Sequence, residues 1–96
     1  MTDKEKKAIK QLLWDYNISE EEFIKMLDAD IKPGGFDRLW AERRAVEGLS
    51  YYDLLAIVGL KRIARDWEKL KPRLRNQTRV RGIEYVLRKY NISVAG

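Results

Sequence analysis

Between Lys69 and Arg81 the chain reads KLKPRLRNQTRVR. Lys69, Lys71, Arg73, Arg75, Arg79 and Arg81 stand at alternate positions, and only Gln77 interrupts the series. On a helix such charges would scatter around the whole circumference, whereas in an extended chain they all point the same way. Pro72 also disfavours helix at the residue before it. The pattern predicts an extended basic connector over about 71–77 that can lie along a polyanion. Just upstream, SYYDLLAIVGLKRIARDWEKL has the outline of a helix, a tight turn at Gly59 and a second, basic helix. A helix-turn-helix has this form, and it would point Lys61, Arg62, Arg65 and Lys69 at a groove or at phosphates. The candidate nucleic-acid contacts are therefore Lys61, Arg62, Arg65, Lys69, Lys71, Arg73, Arg75, Arg79 and Arg81. The same residues could instead pair with an acidic partner protein.

Other chemistry is poorly supplied. The chain has no Cys and no His, so thiolate catalysis and the commonest general base and metal ligand are missing. Glu20, Glu21 and Glu22 sit where the first turn of a helix favours negative charge, and capping accounts for them. Asp28 and Asp30 begin like a calcium loop, but Lys32 falls at a ligand position and Pro33 where Gly is required. Pro33-Gly34-Gly35 lacks the Gly-Lys-Ser/Thr that would make it a phosphate-binding loop. No catalytic residue, metal or cofactor is expected. The Asn-x-Ser/Thr matches at Asn17, Asn76 and Asn91 are read as chance, because MTDKEKKAIK has no apolar signal-peptide core.

Charge is divided along the chain. Residues 1–60 hold nine Lys/Arg and twelve Asp/Glu, a balance of −3, while residues 61–96 hold eleven and three, a balance of +8. Such asymmetry points to an anionic partner for the C-terminal part. No apolar run approaches the roughly 20 residues of a membrane span, so no membrane contact is expected and a cytoplasmic location is the default.

Ninety-six residues suit one domain with one modest core. The tetrapeptide YNIS occurs twice and punctuates helices. In the first copy Asn17 is predicted to be a left-handed helix stop, with an Ile18–Leu13 contact; Ser19 and Glu22 then form a capping box and Ile18–Phe23 a staple. The second copy places Asn91 at the stop with Ile92 over Leu87, followed by an SVAG tail too short for a helix. Gly48 and Gly59 are read as further stops, and Ser50 with Asp53 as another capping box. The periodicity predicts helices over about 3–16, 20–28, 37–47, 51–58, 61–70 and 78–90. In the third, Leu39, Trp40, Arg43 and Val46 form one stripe. Trp14, Trp40 and Trp67 are expected in the core or as interface anchors. Gly82 within the last helix suggests close approach of another backbone.

The stretch Leu12-Leu13-Trp14-Asp15-Tyr16-Asn17-Ile18 resembles the opening of a group of small bacterial all-helical proteins with an LLWDYDI-like motif. SYYDLLAIVGLKRIARDWEKLKPRLR is similar in outline to their later part. The resemblance implies an antitoxin-like partner of a nucleotidyltransferase-like protein, with no catalytic residues to carry over. The expectation is an all-α, compact bundle of five or six short helices over 1–96, acting as a non-enzymatic, antitoxin-like binding protein. Its basic C-terminal half would contact DNA or RNA; the alternative is a protein–protein adaptor.

Overall fold

The computed structural model describes residues 2–92. Seven α-helices follow one another: α1 (Asp3–Leu12), α2 (Glu20–Met26), α3 (Arg38–Gly48), α4 (Tyr51–Ile57), α5 (Leu60–Arg65), α6 (Trp67–Leu70) and α7 (Gln77–Lys89). Two 3-10 turns, Pro33–Gly35 and Lys71–Arg73, lie in the longer connections. No strand occurs among the described residues, so the all-α expectation holds. The count rises to seven because the predicted fifth helix is cut at Asp66, which adopts φ −112°, ψ 11°.

Local chemistry sets most helix starts. Thr2, Ser19, Asp37, Ser50 and Asn76 each accept a hydrogen bond from a backbone N–H three residues on. These bonds satisfy donors that have no partner inside the helix. Ser19 and Glu22 form the full reciprocal box, with Ser19 N–H donating to Glu22 Oε1 at 3.0 Å. At the other end, Asn91 is left-handed at φ 55°. Its N–H donates to Arg88 O, and that of Ile92 to Leu87 O at 2.9 Å, which is the Schellman pattern. The SVAG tail lies outside the described residues.

The first YNIS copy behaves differently. α1 ends at Leu12, and Asn17 has no left-handed φ. The carbonyl of Leu12 is taken by Arg44 Nη2 at 2.8 Å. The chain then turns so that Tyr16 packs edge-on against Phe36 and Trp40, which stack on each other at 4.2 Å. Tertiary partners therefore end this helix before the local signal is reached. Gly48 is also not a left-handed stop; it is helical, and a Cβ there would collide with Leu12. Its role is to let α1 approach α3.

The hub is α3, which packs against α1, α2, α4 and α6. Its inward face carries Ala41, Glu42, Ala45 and Val46; of the predicted Leu39, Trp40, Arg43 and Val46 stripe only Val46 is buried. Small alanines let four helices crowd one rod, while the half-buried Trp40 joins the aromatic cluster at its edge. Phe23, Met26, Leu27, Leu54, Ile63, Trp67, Leu70, Val80, Ile83 and Leu87 are among the other buried residues of the core. Trp14 is not among them and stands 81% exposed.

Two glycines generate opposite predictions. Gly59 sits at φ 86°, ψ 153°, a region essentially closed to other residues. Gly82 is helical with nothing within 4 Å of an added Cβ, so no backbone approaches it. Gly59→Ala is expected to cost about 1–3 kcal/mol and Gly82→Ala to stabilise by about 1 kcal/mol. Urea unfolding of the two variants beside the parent measures both signs.

Candidate nucleic-acid interface

The predicted strap does not form. Lys69 belongs to α6, and Lys71–Arg73 is a 3-10 turn. Backbone in the extended region is found at Leu74 (φ −85°, ψ 135°) and Asn76 (φ −80°, ψ 92°), after which Arg79 and Arg81 lie on α7. Pro72 fits the start of a 3-10 turn, where its missing N–H is not needed. Leu74 is drawn into the core at 5% exposure, and Arg75 N–H donates to Glu47 Oε2 at 2.7 Å. A tight turn with a buried leucine therefore replaces the straight run, and alternation no longer aligns the charges.

The helix-turn-helix reading also changes. After Gly59, α5 has six residues, and its two arginines are half-buried and engaged within the fold. Arg62 forks onto Asp28, with Nη2 to Oδ2 at 2.7 Å and Nε to Oδ1 at 3.1 Å, and donates to Val58 O. Arg65 donates to Leu27 O at 2.6 Å, to Asp28 Oδ1 at 3.2 Å and to Asp66 Oδ2 at 3.2 Å. Arg38 reaches Asp66 Oδ1 at 2.8 Å. These bonds tie the end of α2 to α3, α5 and the break before α6. Both Arg62 and Arg65 are thus spent on bonds within the fold, leaving Lys61 as the exposed cation of α5.

Within this cluster Glu42 is fully buried. No neighbouring N–H or O–H reaches either of its carboxyl oxygens, and the nearest cation, Arg65, is 3.7 Å away. A charged Glu42 would be stranded. Burial, then the hydrogen bond and charge of Asp66, push its carboxyl up to about 9. Both effects favour the protonated form of Glu42. Burial opposes ionisation of Asp66, but its bonds with Glu42, Arg38 and Arg65 hold it below the ordinary carboxylate range. At the exposed corner, Asp28 is held down at about 2, first by its hydrogen bond to Arg62.

The remaining cations separate into groups. Lys71 Nζ bonds Glu84 Oε2 at 2.7 Å, and Trp67 Nε1 donates to the same oxygen at 3.3 Å, which pins the 3-10 turn to α7. Val80, Ile83 and Leu87 of α7 face the core, so Arg81 lies on its outer side. Arg79 lies on the opposite flank, half-buried, with its Nη1 enclosed and unpartnered. Lys61, Lys69, Arg73, Arg75, Arg79 and Arg81 make no ion pair among the described residues. Arg88 and Lys89 also stand exposed and unpaired on α7. Alternation along the chain passed over these two; the helical repeat from Arg81 finds them at i+7 and i+8.

Among the described residues no cluster of His, Cys, Asp or Glu suited to a metal is found. No described helix is long and apolar enough to cross a membrane. No protein-family model, curated protein or solved structure matches the chain.

Glu42 generates a pH prediction. Its folded proton affinity exceeds that of an unfolded glutamic acid near 4.5, so the folded state keeps a proton that the unfolded chain releases. Stability contributed by this group is complete below about pH 4.5 and is lost progressively toward about pH 9. Glu42→Gln keeps the shape, stays neutral and can donate to Asp66. Thermal melts from pH 5 to 9 should fall for the parent and stay nearly level for the variant, which gains on the order of a few kcal/mol at pH 8. Equal slopes would mean that Glu42 is not protonated in the fold.

Proposed function

We propose that the chain is a non-enzymatic binding protein with an antitoxin-like role, whose basic C-terminal half contacts nucleic acid. The observation that carries this reading is uncompensated charge. The carboxylates Asp28, Glu47, Asp66 and Glu84 are engaged by arginine or lysine. Eight cations between Lys61 and Lys89 make no ion pair of their own among the described residues. Such a surface attracts phosphates, and neutralising them releases counterions. The arginines most available for this are Arg73, Arg75 and Arg81, all exposed, with the exposed and unpaired Lys69 as a further contact. The antitoxin-like role rests on the LLWDYNI resemblance.

Trp14 supports the alternative, a protein–protein adaptor without nucleic-acid binding. It lies within LLWDYNI, between α1 and α2, and at 81% exposure it is a large aromatic with little packing of its own. Exposed tryptophans are frequent anchors of protein interfaces.

Fluorescence anisotropy with labelled oligonucleotides separates the two readings. If about six phosphates are neutralised, affinity should fall by roughly two to three orders of magnitude between 50 and 200 mM salt. Joint substitution of Arg73→Ala, Arg75→Ala and Arg81→Ala should lower the slope of log affinity against log salt by about 2–3. Trp14→Ala should leave both quantities unchanged. Absence of binding to duplex DNA, single-stranded DNA and RNA alike at 50 mM salt would leave the adaptor reading standing.

A further inference from the structure

Resting on the nucleic-acid reading above, we infer that the outer face of α7 binds single-stranded nucleic acid by stacking an unpaired base on Tyr85. The core side of α7 is fixed by Val80, Ile83 and Leu87. Turning away from it, the helical repeat brings Arg81, Tyr85, Arg88 and Lys89 onto one outer surface. No carboxylate among the described residues shares that surface. Glu84 lies at its margin, half-buried and already bonded to Lys71 and Trp67.

Tyr85 is the unusual member. It is 60% exposed. Neither face of its ring is covered by a cation or another aromatic among the described residues, in contrast to Tyr16, which is covered by Arg44, and Tyr52, which is covered by Lys4. Tyr85, Arg88 and Lys89 line one shallow depression. Arg81 precedes the ring by four residues and Lys89 follows it by four, so a cation lies about 6 Å along the axis on either side. Gly82, one turn before Tyr85, has open space around it, so no side chain screens the ring from that direction.

This composition suits unstacked bases. In a duplex the base faces are occupied by neighbouring pairs, and a side chain meets only their edges. A bare aromatic ring among cations gains little there. A single strand offers both π-faces for stacking and phosphates for the flanking arginine and lysine side chains. The phosphate contacts give attraction without regard to strandedness, and Tyr85 supplies the preference.

Three labelled probes test this at 50 mM salt: a 12-nucleotide pyrimidine DNA strand, its RNA equivalent, and the corresponding 12-base-pair duplex. Both single strands are expected to bind at least tenfold more tightly than the duplex. Tyr85→Ala should weaken single-strand binding by between about fivefold and a hundredfold, leaving duplex binding and the salt slope unchanged. Tyr85→Phe, which keeps the ring, should retain most of the affinity. Circular dichroism of each variant checks that the helices persist. Duplex binding as tight as that of the single strands, or an unaltered Tyr85→Ala, overturns this inference and leaves the broader one intact. No binding to any probe overturns both.

Discussion

The carboxylates Asp28 and Asp66, bridged by Arg65, are the constraint on which the structure turns. Asp66 is 4% exposed and Glu42 is fully buried. Buried ionised groups are costly unless they are paired and hydrogen-bonded. The fold meets that condition with Arg38 and Arg65 at Asp66, the carbonyl of Leu27 for Arg65, and a proton held on Glu42. The break between α5 and α6 falls at Asp66, the residue whose carboxylate is turned inward to these partners. One cluster thereby joins α3, the end of α2 and the α5–α6 corner.

The same cluster sorts the charges. Sequence counts place eleven basic residues against three acidic ones after residue 60, but they do not say which point outward. Arg62 and Arg65 neutralise Asp28, whose side chain belongs to the acidic N-terminal part. The C-terminal excess is therefore partly used across the fold. What remains outside is concentrated in the 3-10 turn, at Arg75 and on α7. The nucleic-acid contact proposed for the chain draws on that remainder, and the stacking proposed for Tyr85 would let it discriminate among polyanions.

How much of this was legible in the sequence depended on the range of the interactions involved. Caps at Ser19, Ser50 and Asn91 follow from three or four adjacent residues, so their signals were readable. The apolar phases of α5 and α6 were readable as well, since Ile63, Ala64, Trp67 and Leu70 are all buried; on α7 the expected stripe of Val80, Ile83, Val86, Leu87 and Tyr90 holds except at Tyr90, which stands 64% exposed. Failures came where a distant partner decided the outcome. Arg44 takes the last carbonyl of α1, 32 positions before it in the chain, and no local pattern announces that bond. The inward face of α3 was misread because small alanines and one protonated glutamic acid, not a large apolar stripe, fill a crowded hub. Alternating cations around Pro72 imitated a strand, while Leu74 between them was the residue that the core required. Tyr85, Arg88 and Lys89 were visible only after α7 had a known inward face.

The central claim is that the fold divides its arginines between an interior role on α5 and an exterior one after Leu70. Backbone amide NMR during titration with a short single-stranded oligonucleotide addresses it directly. The account predicts shifts confined to about 69–76 and to the outer face of α7 around Arg81, Tyr85 and Arg88, with the amides of Arg62 and Arg65 unmoved. Shifts centred on α5, or on the corner around Trp14, would contradict it.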